Sequence, residues 1–119
     1  MRKAKVLATF MAFATAMFTF SGVGLASQAE SQQKKFKIGI VQIMEHPSLN
    51  TIRESFVEEL AALGYDDSVV EIDYKNAQSD QSNLNSICKK FVGDKVDLIV
   101  AIATPTAQAA AAATKTIPV

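Results

Sequence analysis

Beyond residue 35 the apolar positions follow two rhythms in turn. Short dense runs at Ile38-Gly39-Ile40-Val41-Gln42-Ile43, Val69-Val70-Glu71-Ile72-Asp73-Tyr74 and Leu98-Ile99-Val100 alternate with longer stretches whose apolar residues recur at steps of three or four. Dense runs predict strands covered on both faces, and the wider spacing predicts amphipathic helices. The first strand is expected from Phe36 to Ile43, with Gly39 allowing a neighbouring element to approach closely. After the loop Met44-Glu45-His46-Pro47, Ser48 reads as an N-cap. Leu49, Ile52, Phe56, Leu60 and Leu63 then form the buried stripe of a helix that stops at Gly64.

The second strand carries Val69, Val70, Ile72 and Tyr74 and gives way to the polar loop Lys75-Asn76-Ala77-Gln78. Ser79 or Asp80 caps the next helix, whose stripe is Leu84, Ile87, Cys88, Phe91 and Val92, and Gly93-Asp94 ends it. A third strand is expected from Val96 to Ala103. Thr104-Pro105-Thr106 then leads into an alanine run, Ala107 to Ala113, with Pro105 in the first turn where its missing N–H is harmless. Ile117-Pro118-Val119 resembles the start of a fourth strand. This succession predicts a doubly wound α/β unit with a parallel sheet in the order 2-1-3-4 and right-handed connections. Its ligand-binding edge lies at the carboxyl ends of the strands, where the loops Gln42 to Pro47, Lys75 to Gln78 and Thr104 to Thr106 converge.

The front of the chain has a different character. Arg2, Lys3 and Lys5 precede an uncharged apolar stretch from Val6 to Leu25, the pattern of an export signal. At about 20 residues the stretch also has the length of a membrane-spanning helix, so an uncleaved anchor is the competing reading. Gly22 and Gly24 near its end, followed by Ser27-Gln28-Ala29 with Ala26 as a second exit point, favour cleavage after residue 29. No Cys follows the run to take a lipid, so a soluble periplasmic product is expected.

Loss of residues 1–29 leaves nine Lys plus Arg against twelve Asp plus Glu. That mild acidity argues against nucleic acid, which requires clustered cations. The single Cys88 has no disulfide partner and reads as a small buried apolar residue. The 90 residues from Glu30 to Val119 are few for a parallel sheet that needs helices on both faces. They are expected to be the first part of a longer solute-binding α/β lobe.

Known chemistry is sparse in these loops. There is no phosphate-cradling glycine motif, no Gly-x-Ser-x-Gly elbow and no Cys-x-x-Cys, and His46 is the lone histidine. No catalytic residue, metal site or cofactor is expected. What the loops offer is uncharged polarity suited to a small solute. Thr104 and Thr106 flank a helix N-terminus, where free N–H groups favour a carboxylate; Thr104 is open to two readings, helix cap alone or cap and ligand contact. Gln42, Asn76 and Gln78 can both donate and accept, and Asn76 serves equally as a turn residue. His46 is a ligand contact, a pH-sensitive group or a plain loop residue. Glu45 pairs with a ligand ammonium or with solvent.

The segments Lys37-Ile38-Gly39-Ile40-Val41-Gln42-Ile43, His46-Pro47-Ser48-Leu49-Asn50, Phe56-Val57-Glu58-Glu59-Leu60 and Leu63-Gly64-Tyr65 resemble the start of ABC transporter substrate-binding proteins. The similar subgroup is the one that binds tryptophan and other aromatic amino acids. Asn76-Ala77-Gln78-Ser79-Asp80 resembles its Asn-Ala-Gln-Gly-Asp segment, with Ser79 in place of Gly, and Ala103-Thr104-Pro105-Thr106-Ala107-Gln108 resembles its third-strand exit. The resemblance implies a two-lobed periplasmic protein that closes on a small-molecule ligand and docks on a membrane permease. Gln42, His46, Asn76, Gln78, Thr104 and Thr106 are then the candidate ligand-binding residues. An exported hydrolase-like enzyme, or a solute-sensing module for a membrane receptor, are the alternatives.

Overall fold

The computed structural model describes residues 33–119; the predicted export signal over 1–29 lies outside the described residues. Six elements follow one another: β1 (Phe36–Gln42), α1 (Pro47–Ala62), β2 (Val70–Asn76), α2 (Gln81–Gly93), β3 (Leu98–Ile102) and α3 (Thr104–Ala113). The strands form one parallel sheet in the order β2-β1-β3. This is the doubly wound arrangement expected from the alternation. The fourth place in the order carries no ladder, but the N–H of Ile99 donates to Pro118 O at 2.9 Å, so the chain's last residues lie along the outer edge of β3.

Side-chain alternation along the strands divides the core in two. Ile38, Ile40, Val70 and Ile102 form one cluster, with Leu49, Phe56, Val57 and Leu60 of α1 packed on it. Val41, Ile99, Leu84, Cys88, Phe91, Ala109 and Ala110 belong to the other, which α2 and α3 build on the opposite face. The split follows from topology: β1 to β2 and β2 to β3 step in opposite directions, so crossovers of one hand put their helices on opposite faces. Gly39 is where the sheet needs a missing side chain. A Cβ there would meet the fully buried Phe91 ring at 2.7 Å. Cys88 is fully buried, as expected, and burial pushes its thiol pKa up.

Several boundaries depart from expectation for identifiable reasons. Pro47 is the first residue of α1, so the N-cap is His46, not Ser48; its Nδ1 accepts from the Ser48 N–H at 3.2 Å. Proline prefers the first helical position because its φ is already helical and its absent N–H is one the helix leaves free. The buried stripe of α1 is rotated from the expected one. Ile52 and Leu63 are 54% and 65% exposed, whereas Val57 and the lower part of Arg53 turn inward. Gly64 ends the helix at φ 92°, with Tyr65 N–H donating to Leu60 O. Asp80, not Ser79, caps α2 by accepting from Asn83 N–H at 2.8 Å. Ser79 itself holds φ 62°, the left-handed conformation that the glycine of the resembled segment adopts without strain.

Candidate functional site

Parallel strands in register bring their exits to one rim. Gln42 of β1 is level with Asn76 of β2 on one side and Ile102 of β3 on the other. The three exit turns therefore emerge side by side, and further backbone bonds tie the first two together. Ala77 N–H donates to Gln42 O at 2.9 Å and Ser79 N–H to Ile43 O at 2.7 Å.

The six candidate residues reach this rim in different ways. Gln42 is fully buried; its Nε2 donates to Met44 O at 2.6 Å and to Asn50 Oδ1 at 2.7 Å, while its Oε1 is buried without a partner. It acts as a peg for the β1–α1 turn. His46 is exposed, and its ring caps α1. Asn76 is half-buried and uses both ends of its amide, Oδ1 accepting from Gln78 N–H at 2.7 Å and Nδ2 donating to Glu45 at 3.1 Å. The turn role weighed for Asn76 is thus occupied. Gln78 is exposed at φ 55°.

The start of α3 departs from the capping expected of Thr104. Ala103 is the N-cap, and no side chain caps the helix. Thr104 is exposed within the first turn, and Thr106 is fully buried, its hydroxyl donating to Ile102 O at 2.6 Å and to Ala103 O at 2.5 Å. Ala103 sits at φ 82° and ψ 158°, a region costing a non-glycine residue of order 1–3 kcal/mol and held only where surroundings impose it. Thr106 is part of what imposes it. With Pro105 lacking a donor, the N–H groups of Thr104 and Thr106 are the ones the helix start leaves without intrahelical partners.

A second group at the rim was not among the six. Glu45 Oε1 accepts from Tyr74 Oη at 2.5 Å and Asn76 Nδ2 at 3.1 Å, with Arg53 Nη1 at 3.7 Å. The Arg53 guanidinium lies 4.1 Å over the Tyr74 ring. The Tyr74 hydrogen bond, helped by Asn76, Asn50 and the Arg53 charge, holds the Glu45 carboxyl below its ordinary pKa despite some desolvation. Burial and the same hydrogen bond push the Tyr74 hydroxyl up. The cluster joins residues about thirty positions apart, and sequence spacing gives no sign of it. The one available signal was Arg53, a charged residue on the helix face that packs against the sheet.

No group of three or more His, Cys, Asp or Glu side chains is placed to hold a metal among the described residues. No helix among them is long and apolar enough to cross a membrane. Two grooves of about 360 and 290 Å³ flank α1 at the other end of the strands, lined by Tyr65 and Val70 with Ile72 or Phe36. Neither contains a candidate residue.

Residues 37–119 match the family described as ABC transporter substrate binding protein. A tyrosine-binding protein of Clostridioides difficile (strain R20291) is 50% identical over 88 residues, 73% of this chain and 26% of the relative. Among solved structures, the ABC domain in complex with L-Trp from Streptococcus pneumonia is 44% identical with a TM-score of 0.69, the match covering 71% of this chain and 29% of that one. The ligand-free, open structure of a substrate-binding protein with adhesive properties from Clostridium difficile is 51% identical with a TM-score of 0.68, covering 70% of this chain and 28% of that one. The chain thus spans less than a third of the length of the relatives it matches. These relatives are substrate-binding proteins, not enzymes.

Proposed function

The chain belongs to the family of ABC transporter substrate-binding proteins, and on that premise we propose that the full-length protein is the extracytoplasmic solute receptor of an ABC-type importer for an aromatic amino acid. The observation that carries the ligand class is the 50% identity to a tyrosine-binding protein, supported by the 44% identity to a chain solved with L-Trp. In this reading residues 1–29 are a cleavable signal peptide and the protein works in the periplasm. Residues 30–119 form the first part of one lobe, and the remainder supplies a second lobe and the surface that meets a membrane permease.

The rim is the ligand-facing edge of that lobe. His46, Gln78 and Thr104, all exposed, meet the solute directly, and Asn76 does so beside its turn bonds. Gln42 and Thr106 act from behind by holding the first and third turns. The open N–H groups at the start of α3 receive the ligand carboxylate, a contact favoured by the helix dipole by about 0.3–1 kcal/mol when exposed and up to about 2 when partly buried. Closure of a second lobe excludes water and strengthens each of these polar contacts.

The test is a melting-temperature screen of the full-length protein against all twenty amino acids, followed by calorimetric titration with L-tyrosine and L-tryptophan. A ligand at a hundred times its Kd stabilises by about 2.7 kcal/mol, so an aromatic amino acid should raise the melting temperature by several degrees. A flat screen across all twenty would overturn the proposal.

A further inference from the structure

Two buried polar atoms beside the exit of β1 have no hydrogen-bond partner, Gln42 Oε1 and Arg53 Nη1, and the second lies 3.7 Å from Glu45 Oε1. Tyr74 Oη and Asn76 Nδ2 both donate to Glu45 Oε1, and Gln42 Nε2 donates to Met44 O and Asn50 Oδ1. These donors are spent on neighbouring groups. The Glu45 carboxylate takes the bonds of Tyr74 and Asn76 on Oε1 and stays half exposed, whereas Gln42 Oε1 is buried. Glu45 and Gln42 lie three residues apart on the same strand exit.

Glu45 is also held in one orientation. A free loop carboxylate must be ordered before it can bind, at a cost in side-chain entropy. Here the ordering is already done by a tyrosine, an asparagine and an arginine. The arginine does not cancel the carboxylate toward solvent: the Arg53 side chain is only 18% exposed and lies against the Tyr74 ring, whereas that of Glu45 is 53% exposed. An approaching cation therefore meets the carboxylate first. The bonds from Tyr74 and Asn76 both fall on Oε1, which leaves a half-exposed carboxylate held as a fixed anion.

From this arrangement we infer that Glu45 is the acceptor for the ligand's ammonium group, with Tyr74, Asn76 and Arg53 as the positioning residues that hold its carboxylate in place. The inference rests on the amino-acid reading above and completes it. Donors at the start of α3 face the ligand carboxylate, and the acceptor at the exit of β1 faces its ammonium. The rim thus selects for a zwitterion, and a solute lacking the amino group leaves Glu45 without a counter-charge.

The experiment measures binding of two compounds to the full-length protein by calorimetry, L-tyrosine and its des-amino analogue 3-(4-hydroxyphenyl)propanoate. Glu45→Gln keeps the Oε1 acceptor for Tyr74 and Asn76 but removes the charge. Because a hydrogen bond to a charged group contributes about 1.5–3 kcal/mol, L-tyrosine should bind about 10- to 150-fold more weakly to Glu45→Gln. The des-amino analogue should keep its wild-type affinity within about twofold. Equal losses for both compounds would make Glu45 a structural latch and overturn the inference, as would unchanged L-tyrosine binding. Tyr74→Phe, which leaves the charge but frees the carboxylate, should show a smaller loss confined to L-tyrosine and serves if Glu45→Gln fails to fold. Failure of the wild-type protein to bind any amino acid sinks the receptor reading itself, an outcome distinct from a wild-type protein that binds while Glu45→Gln matches it.

Discussion

Replacing Gly39 by alanine tests the packing of the sheet against α2 most directly. The added Cβ would stand 2.7, 2.8 and 2.9 Å from three carbons of the Phe91 ring, whereas carbon atoms in contact settle at about 3.5–4.0 Å. The ring must therefore retreat by most of an ångström. Phe91 is fully buried among Leu84, Cys88, Val96 and Ile99, in a core with no slack at native packing density. Overpacking of this kind costs about 1–3 kcal/mol. Against it stands the lower backbone entropy of an unfolded alanine, a gain of about 0.4–1 kcal/mol for Gly→Ala at compatible positions. The clash outweighs the gain, and a net loss of about 0.5–2 kcal/mol is expected. Denaturant unfolding of the purified full-length protein, followed by circular dichroism, measures the change. Phe91→Leu should relieve the clash, so the double variant should be more stable than the sum of the two single effects by at least about 0.5 kcal/mol. Gly39→Ala with wild-type stability, or strictly additive effects, would refute the close approach as the reason for glycine in this strand.

Three further outcomes are expected. Thr106→Val keeps the shape but loses the hydroxyl that bonds Ile102 O and Ala103 O, and should destabilise by about 1 kcal/mol in the same unfolding assay; no change would mean that the strained Ala103 turn holds without it. Thr104→Ala should weaken binding of L-tyrosine by about 1 kcal/mol if its hydroxyl meets the ligand, and unchanged affinity in calorimetry would reduce its part to the backbone N–H. Glu45 and Asp66 both have lowered carboxyl pKa values, Asp66 chiefly through the hydroxyl and then the N–H of Ser68. Depressed folded-state values give stability that is present above the ordinary values of 4.5 and 3.8 and is lost as pH falls through the lowered ones. The melting temperature measured at steps down from pH 5 should drop more steeply for the wild-type protein than for a Tyr74→Phe, Ser68→Ala double variant; parallel curves would contradict the assignment.

The elements were legible because each rests on local rules. Period-two and period-three-to-four patterns, Asp80 before its helix, Gly64 after its helix and Pro105 in a first turn all act within a few residues of the chain. Gly39 and Cys88 were legible for a related reason, since a small residue amid large apolar ones marks a crowded interior. The rim was legible only as a place. Parallel strands bring the exits of Gln42, Asn76 and Ile102 together, but which side chains turn outward depends on partners distant in sequence. Gln42 and Thr106 looked like free rim polarity and are buried, because each satisfies backbone carbonyls that the turns leave open. Arg53 lies on Tyr74, a contact between α1 and β2 that neither segment announces. Ile52 and Leu63 fit the helical spacing yet face outward, because periodicity fixes an angular stripe without fixing which edge of it meets the sheet.

Gln42 belongs to a strand, yet its amide grips a carbonyl in the following turn and an asparagine in the helix beyond it. The shape of the turn is consequently stored outside the turn. Grafting residues 43–47 onto another sheet would transfer the letters without the fold of the loop. Any scheme that swaps specificity between proteins of this family by exchanging this loop must move Gln42 and Asn50 with it as one cassette.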